Sequence, residues 1–300
     1  MNRFWLIIVV ICIGILCLGL IVSGPWGLCC SKEGPKKVIN TPERIVSLAP
    51  NLTEILFCLG LGDKVVAVSS DSDYPAKAAQ KIKVGSFWQP NTEVIITSKP
   101  DLVVGLWFDQ QRTVADALRR LGYEVLTLKV ENLDEMIQAI QSIGDAANCR
   151  KRAGQLVDKI KKQIKQLSGV SCKRPKVLWV IQAEPLRVAG RKTFVNELIE
   201  LAGGQNAIGP TIDRYPSLNS EAILSCGAEI IIQSAMTSAA IETQQESAEK
   251  FWSRFPHLPA VKNKRIYVVN PDTILRLGPR IPQGIKLITE KLHPENYQQE

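Results

Sequence analysis

Residues 145–168 set the tightest constraint on how this chain can fold. The segment has no proline and one internal glycine, Gly154. Ala153, Leu156, Val157, Ile160, Ile164 and Leu167 recur at three- and four-residue steps, which makes one apolar stripe on a helix. Lys151, Arg152, Lys159, Lys161, Lys162 and Lys165 fall mostly outside the stripe and read as its solvated side. At about 1.5 Å per residue the helix would run roughly 35 Å, the width of a small domain. Strand and helix signals alternate on both sides of it. The pattern fits a stiff spacer between two α/β lobes, and equally a surface helix on one larger domain. As a continuous strut it would leave little room for hinge motion.

The rest of the chain divides around that helix. Residues 4–22 are apolar throughout, near the ~20 residues needed to span a bilayer, so residues 1–30 are expected to be an export signal or membrane anchor. Residues 31–42 are polar with two prolines and read as a tether. Residues 43–146 read as a first lobe, 147–169 as the connecting helix and 170–293 as a second lobe. Alternating strands and helices imply a mainly parallel sheet covered on both faces. In the first lobe, Asn51 and Glu54 have the spacing of a capping box at a helix start. A short motif recurs: Asn91-Thr92-Glu93 before one predicted strand and Asn219-Ser220-Glu221 before another. The copies are offset by a constant 128 residues, Asn91 to Asn219 and Glu93 to Glu221, with the central helix between them. In each, Asn can cap a helix and Glu sits in its first turn, where the helix dipole favours an acid.

Several chemistries lack their residues. The 2 histidines, His257 and His293, are not in ligand-spaced clusters, so no protein-built metal site is expected. There is no nucleophile elbow, phosphate loop or dinucleotide fingerprint, and no catalytic set is expected. The acids Glu54, Asp71, Asp73 and Asp272 read as solvated groups in or near loops. Net charge is +8, but no nucleic-acid-reading motif accompanies it. Of 8 cysteines, Cys58 and Cys226 lie among apolar residues and read as small core hydrophobes. Cys149 and Cys172, at opposite ends of the helix, are too far apart to bridge if it is continuous. Aromatics say more. Tyr74, Phe87, Trp88, Trp107, Phe108 and Tyr215 all fall at or just after predicted element ends. Ligands of open α/β sheets bind there, and a cleft with aromatic walls suits a large, flat, partly apolar ligand. Phe87 and Phe108 read equally well as core plugs.

Ordered motifs across most of the chain carry a resemblance. RIVSLAPNLTEILFCLGLGDKVVAVSSDSDYP is followed by KVGSFWQPNTEVIITSKPDLVVG. The second lobe has LRVAGRKTFVNELIELAGGQNAIG and RIYVVNPDTILRLGPR. Together they resemble the substrate-binding proteins of ABC importers, of the helical-backbone class that carries cobalamin, ferric siderophores and haem. The cobalamin branch is closest. The resemblance implies two Rossmann-like lobes with mainly parallel sheets, joined by a single long helix, with the ligand between them. It implies no resident cofactor; the ligand would be cobalamin, another corrinoid or a ferric chelate. The implied ligand-binding set is Asp71, Asp73, Tyr74, Trp88, Gln89, Trp107, Tyr215, Asp272 and Arg276. Glu93 and Glu221 would face arginines on the importer's permease, with its ATPase behind. The protein would act as a monomer, outside the cytoplasm and held to the membrane by its N-terminal segment.

Overall fold

The computed structural model describes residues 41–167, 173–235 and 241–296. The expected signal or anchor, nearly all of the tether, and Cys172 lie outside them. The first lobe runs β1 (Ile45–Ser47), α1 (Pro50–Cys58), β2 (Val65–Val68), α2 (Ala76–Ala79), β3 (Ile82–Lys83), α3 (Thr92–Thr97), β4 (Leu102–Leu106), α4 (Asp109–Arg120), β5 (Val125–Leu128) and α5 (Leu133–Ala146). Its five strands are all parallel, in the order β3-β2-β1-β4-β5. After α6 (Arg150–Leu167), the second lobe runs β6 (Lys176–Gln182), β7 (Arg187–Val188), α7 (Phe194–Leu201), β8 (Gln205–Asn206), α8 (Ser220–Cys226), β9 (Ile230–Ser234), α9 (Ile241–Trp252), α10 (Pro259–Lys262), β10 (Ile266–Val269), α11 (Pro271–Ile274) and α12 (Ile281–Leu292). Its sheet order is β10-β9-β6-β7, with β8 also on β6 and only β7 antiparallel.

Strand parity explains why one core runs through both lobes. Successive strand residues face opposite sides of a sheet. In the first lobe Ile45, Leu102 and Val104 face inward, while Val46 and Val103 pack under the outer helices. In the second, Val177, Trp179, Ile230 and Ile232 face inward, while Leu178, Val180 and Ile231 pack outward. The two inward sets share one continuous core with Ala153, Val157 and Ile160 of α6. The helix is therefore more than a spacer: its apolar stripe is the seam on which both lobes pack. Its lysines are exposed, as expected.

The repeat holds in three dimensions. α3 leads into β4, which pairs with β1, and α8 leads into β9, which pairs with β6. Asn91 caps α3 by accepting from the Glu93 and Val94 N–H groups at 3.0 and 3.1 Å. Asn219 caps α8 by accepting from the Ala222 N–H at 2.8 Å.

Three expectations are corrected. The long helix begins at Arg150 rather than near residue 145. Asn148 takes φ 52°, the left-handed conformation that ends helices, and Asn tolerates it. The Cys149 N–H reaches the Gly144 carbonyl at 2.7 Å and the Asn148 N–H that of Asp145 at 3.2 Å, which closes α5 before α6 starts. The capping box at Asn51 does not form: Pro50 takes the first helical position, Ala49 is the cap, and Asn51 lies inside α1. Cys58 is exposed rather than core, while Cys226 is half-buried against the outer core.

Two glycines near the seam make opposite predictions. Gly154 has open space where a Cβ would stand, so Gly154→Ala should stabilise by about 0.5–1 kcal/mol. A Cβ on Gly144 would run into that of Ala153, where α5 meets α6, so Gly144→Ala should destabilise by about 1–3 kcal/mol. Urea unfolding of the two variants checks both signs.

Candidate functional site

The ends of the parallel strands open onto a cleft between the lobes, with a volume of about 490 Å³. The first lobe contributes Asp71 after β2, Trp88 after β3, Leu106 at the end of β4 and Glu131 after β5. This is the position that parallel α/β topology gives to ligands. The second lobe faces them with Phe194, Tyr215 and Arg276, among others. A larger cavity, about 800 Å³, is lined by the second lobe alone and does not gather residues from both. The interlobe cleft is the better candidate because aromatic and charged side chains converge on it from two independent supports.

Trp88 stands on a fixed platform. Its ring centroid is 4.9 Å from that of Phe87 and 5.3 Å from that of Phe108, and Phe87 and Phe108 are 5.0 Å apart. The Phe87 N–H donates to Asp71 Oδ2 at 2.6 Å. The Phe87 carbonyl accepts from Gln111 Nε2 at 3.0 Å. Gln111 is fully buried, also donates to the Leu48 carbonyl at 2.9 Å, and accepts the Leu106 N–H at 2.6 Å. One buried amide thus ties the aromatic loop to the ends of β1 and β4. Trp88 remains 61% exposed on this support, an apolar surface without a partner among the described residues. Gly85 starts the loop at φ +92°, where a Cβ would meet the Gln89 carbonyl oxygen.

The opposite side of the cleft is bounded by ion pairs that join the lobes, and here Glu54 departs from the reading of solvated loop acids, whereas Asp71 and Asp73 are exposed as expected. Glu54 on α1 is 1% exposed and takes Arg280 bidentately, Nε to Oε2 at 2.8 Å and Nη2 to Oε1 at 2.6 Å. Arg280 also stacks over the Tyr74 ring at 4.1 Å and donates to the Asp272 carbonyl. Arg276 pairs with Asp73 and with Asp272, the latter at 2.7 Å. Asn51, freed from capping, donates to the Leu277 carbonyl at 3.1 Å. Glu54 is buried because α1 and the 270–280 segment pack against each other, Asp272 is partly covered there, and Asp73 stays 58% exposed while paired with Arg276. Hydrogen bonding to Arg276 holds the Asp73 carboxyl below its ordinary range. A depressed carboxyl contributes at full strength above its unfolded value and fades as pH falls through the lowered one. A second set of contacts joins the lobes elsewhere: Glu131 to Arg214 at 3.0 Å, and Glu197 accepting the Leu133 N–H at 3.1 Å.

The expected ligand set is therefore divided. Asp71, Trp88, Tyr215 and Arg276 line the cleft. Asp73, Tyr74 and Asp272 sit behind it, engaged with Arg276 and Arg280. Gln89 is exposed in the turn that closes on Ser86, and Trp107 is exposed under the Arg112 guanidinium, 4.8 Å away. Phe194, Arg214, Glu131 and Gln111 were missed, because a residue at the start of a helix or in an unremarkable loop carries no local sign of what it faces. Burial holds the Tyr215 phenol above its ordinary pKa, so it stays protonated. Among the described residues no three His, Cys, Asp or Glu side chains converge as a metal site. Glu93 and Glu221 are exposed at the starts of α3 and α8, and neither has an ion pair among the described residues.

Comparison with known proteins fits this architecture. The family described as periplasmic binding protein matches residues 45–273, so the chain belongs to it. An uncharacterized ABC transporter substrate-binding lipoprotein of Bacillus subtilis is 31% identical over 268 residues, 86% of this chain and 82% of the relative. A vitamin B12-binding protein of Vibrio parahaemolyticus is 26% identical over 251 residues, 83% of this chain and 88% of that one. The apo structure of a periplasmic heme-binding protein from Roseiflexus superposes with a TM-score of 0.74 at 25% identity, covering 84% of this chain and 98% of that one. These relatives are substrate-binding transport proteins rather than enzymes.

Proposed function

We propose that this periplasmic binding protein captures a corrinoid in its interlobe cleft, outside the cytoplasm, and delivers it to the permease and ATPase of an ABC importer. The observation that carries the reading is the cleft wall. An exposed indole stands on a rigid aromatic support, and the arginines nearby are already matched by carboxylates. Such a wall suits a large, flat ligand without strong net charge. The relative named for vitamin B12 binding supports the same choice. A ferric siderophore or haem is the second reading, favoured by the fold shared with a heme-binding protein. The N-terminal segment would hold the protein at the membrane, in keeping with the relative named as a lipoprotein. Glu93 and Glu221, one per lobe, would be the contacts to the permease.

Equilibrium titration with cyanocobalamin, haemin and a panel of ferric siderophores tests the ligand. Saturable cyanocobalamin binding is expected, and Trp88→Ala should weaken it about thirtyfold, as truncation of a central aromatic contact does. Tight siderophore binding with no corrinoid binding would sink the corrinoid claim.

A further inference from the structure

Four formally charged side chains line the interlobe cleft: Asp71, Glu131, Arg214 and Arg276. Asp71 accepts the Phe87 N–H, and Arg276 is held by Asp73 and Asp272. That leaves Arg214 and Glu131 facing each other across the lobes, Nη1 to Oε2 at 3.0 Å. Both are about half exposed, so the pair borders the open cleft and is not part of the core. The Arg214 Nε donates to the Lys192 carbonyl at 3.1 Å, which fixes the guanidinium. Glu131 has one other cation nearby, Lys129 at 3.6 Å, and Lys129 has a closer partner in Glu135 at 2.9 Å. Glu131 also donates its backbone N–H to Glu135, which fixes the turn that presents it. Tyr215 lines the same cleft, and its phenol feels Arg214 and Glu131 in opposite senses, so both charges act on the same patch of wall.

A half-exposed pair of this kind adds little stability. Its consequence is chemical. A free arginine beside an aromatic wall would attract any flat ligand bearing carboxylates. A paired one offers no net charge, and an incoming carboxylate must displace Glu131 or lie against it. We propose that Glu131 is a specificity-determining residue: by holding Arg214, it makes the cleft select uncharged macrocycles over carboxylate-bearing ones of similar shape. The inference deepens the corrinoid reading and rests on the same cleft.

Metal-free protoporphyrin IX carries two carboxylates and its dimethyl ester carries none. The two differ in charge but not in ring shape, and neither brings an axial metal bond. Binding of each, and of cyanocobalamin, is measured on wild type, Glu131→Gln and the Glu131→Gln/Arg214→Gln double variant. Glu131→Gln should tighten the diacid about tenfold, leave the ester unchanged, and lose its gain in the double variant and at high salt. A Glu131→Gln protein with no gained preference for diacid over ester, whether both shift together or neither binds, overturns the proposal. Wild-type cyanocobalamin binding reports separately on the parent reading. Its absence beside a clear diacid gain would sink the corrinoid claim and leave the charge gate standing.

Discussion

Arg280→Ala is expected to destabilise the folded protein by about 3–5 kcal/mol, because it strands a buried carboxylate. Glu54 is 1% exposed and its two oxygens are satisfied mainly by the Arg280 fork. Arg276 lies 3.9 Å from Glu54, within ion-pairing range but beyond hydrogen-bonding distance, and is already held by Asp73 and Asp272, so it compensates only in part. The usual estimate for surface ion pairs does not apply, since Arg280 is itself only 15% exposed. The loss also removes the guanidinium stacked on Tyr74 and the bond to the Asp272 carbonyl. Glu54→Gln/Arg280→Met should recover much of the difference, because it leaves no orphaned charge. Urea unfolding of wild type, Glu54→Gln, Arg280→Met and the double variant measures the coupling, with Arg280→Ala measured beside them. A loss below about 1 kcal/mol for Arg280→Ala would mean that water or rearrangement satisfies Glu54, and that the pair does not hold the lobes together.

Replacing both Glu93 and Glu221 with arginine is expected to abolish stimulation of the importer's ATPase while leaving ligand affinity unchanged. The two acids occupy equivalent places in the two sheets, each on a short helix leading into the strand beside its lobe's first strand. Each helix start is held by an asparagine cap, so each carboxylate is presented from a rigid point. Neither lines the cleft, which is why ligand binding should survive. Each reversal loses an acid from a helix's first turn, about 0.3–1 kcal/mol, and adds a cation there at a similar cost, so folding of the double variant is checked by urea unfolding beside the ATPase assay. Single reversals should give intermediate loss, since each lobe retains or loses one contact. The measurement is ATP hydrolysis by the reconstituted transporter with saturating ligand-loaded protein. Full stimulation by the double variant would rule out the docking role.

Much of the architecture was legible from local patterns. The apolar stripe of α6 emerged because helix period and burial coincide along it. The repeat was legible because Asn capping and a first-turn acid are local events. The place of Trp88 and Tyr215 on the cleft followed from their position at or just after predicted element ends. The helix break at Asn148 was harder to see, since its signal is a single residue able to take a left-handed turn. Asn51 misled because its spacing to Glu54 copies a capping box, while Pro50 had already set the helix start.

By itself the sequence determined the alternating elements, the central helix with its apolar and basic sides, and the two capped acids. Each depends on contacts a few residues apart, and such contacts leave a periodic trace. Only the tertiary structure decided that this helix is the seam of one shared core, and that Glu54 and Arg280, 226 residues apart, form a buried pair. It alone set Arg214 against Glu131 across the cleft. Charge pairing between lobes depends on where two separately folded surfaces meet, and no spacing along the chain records that.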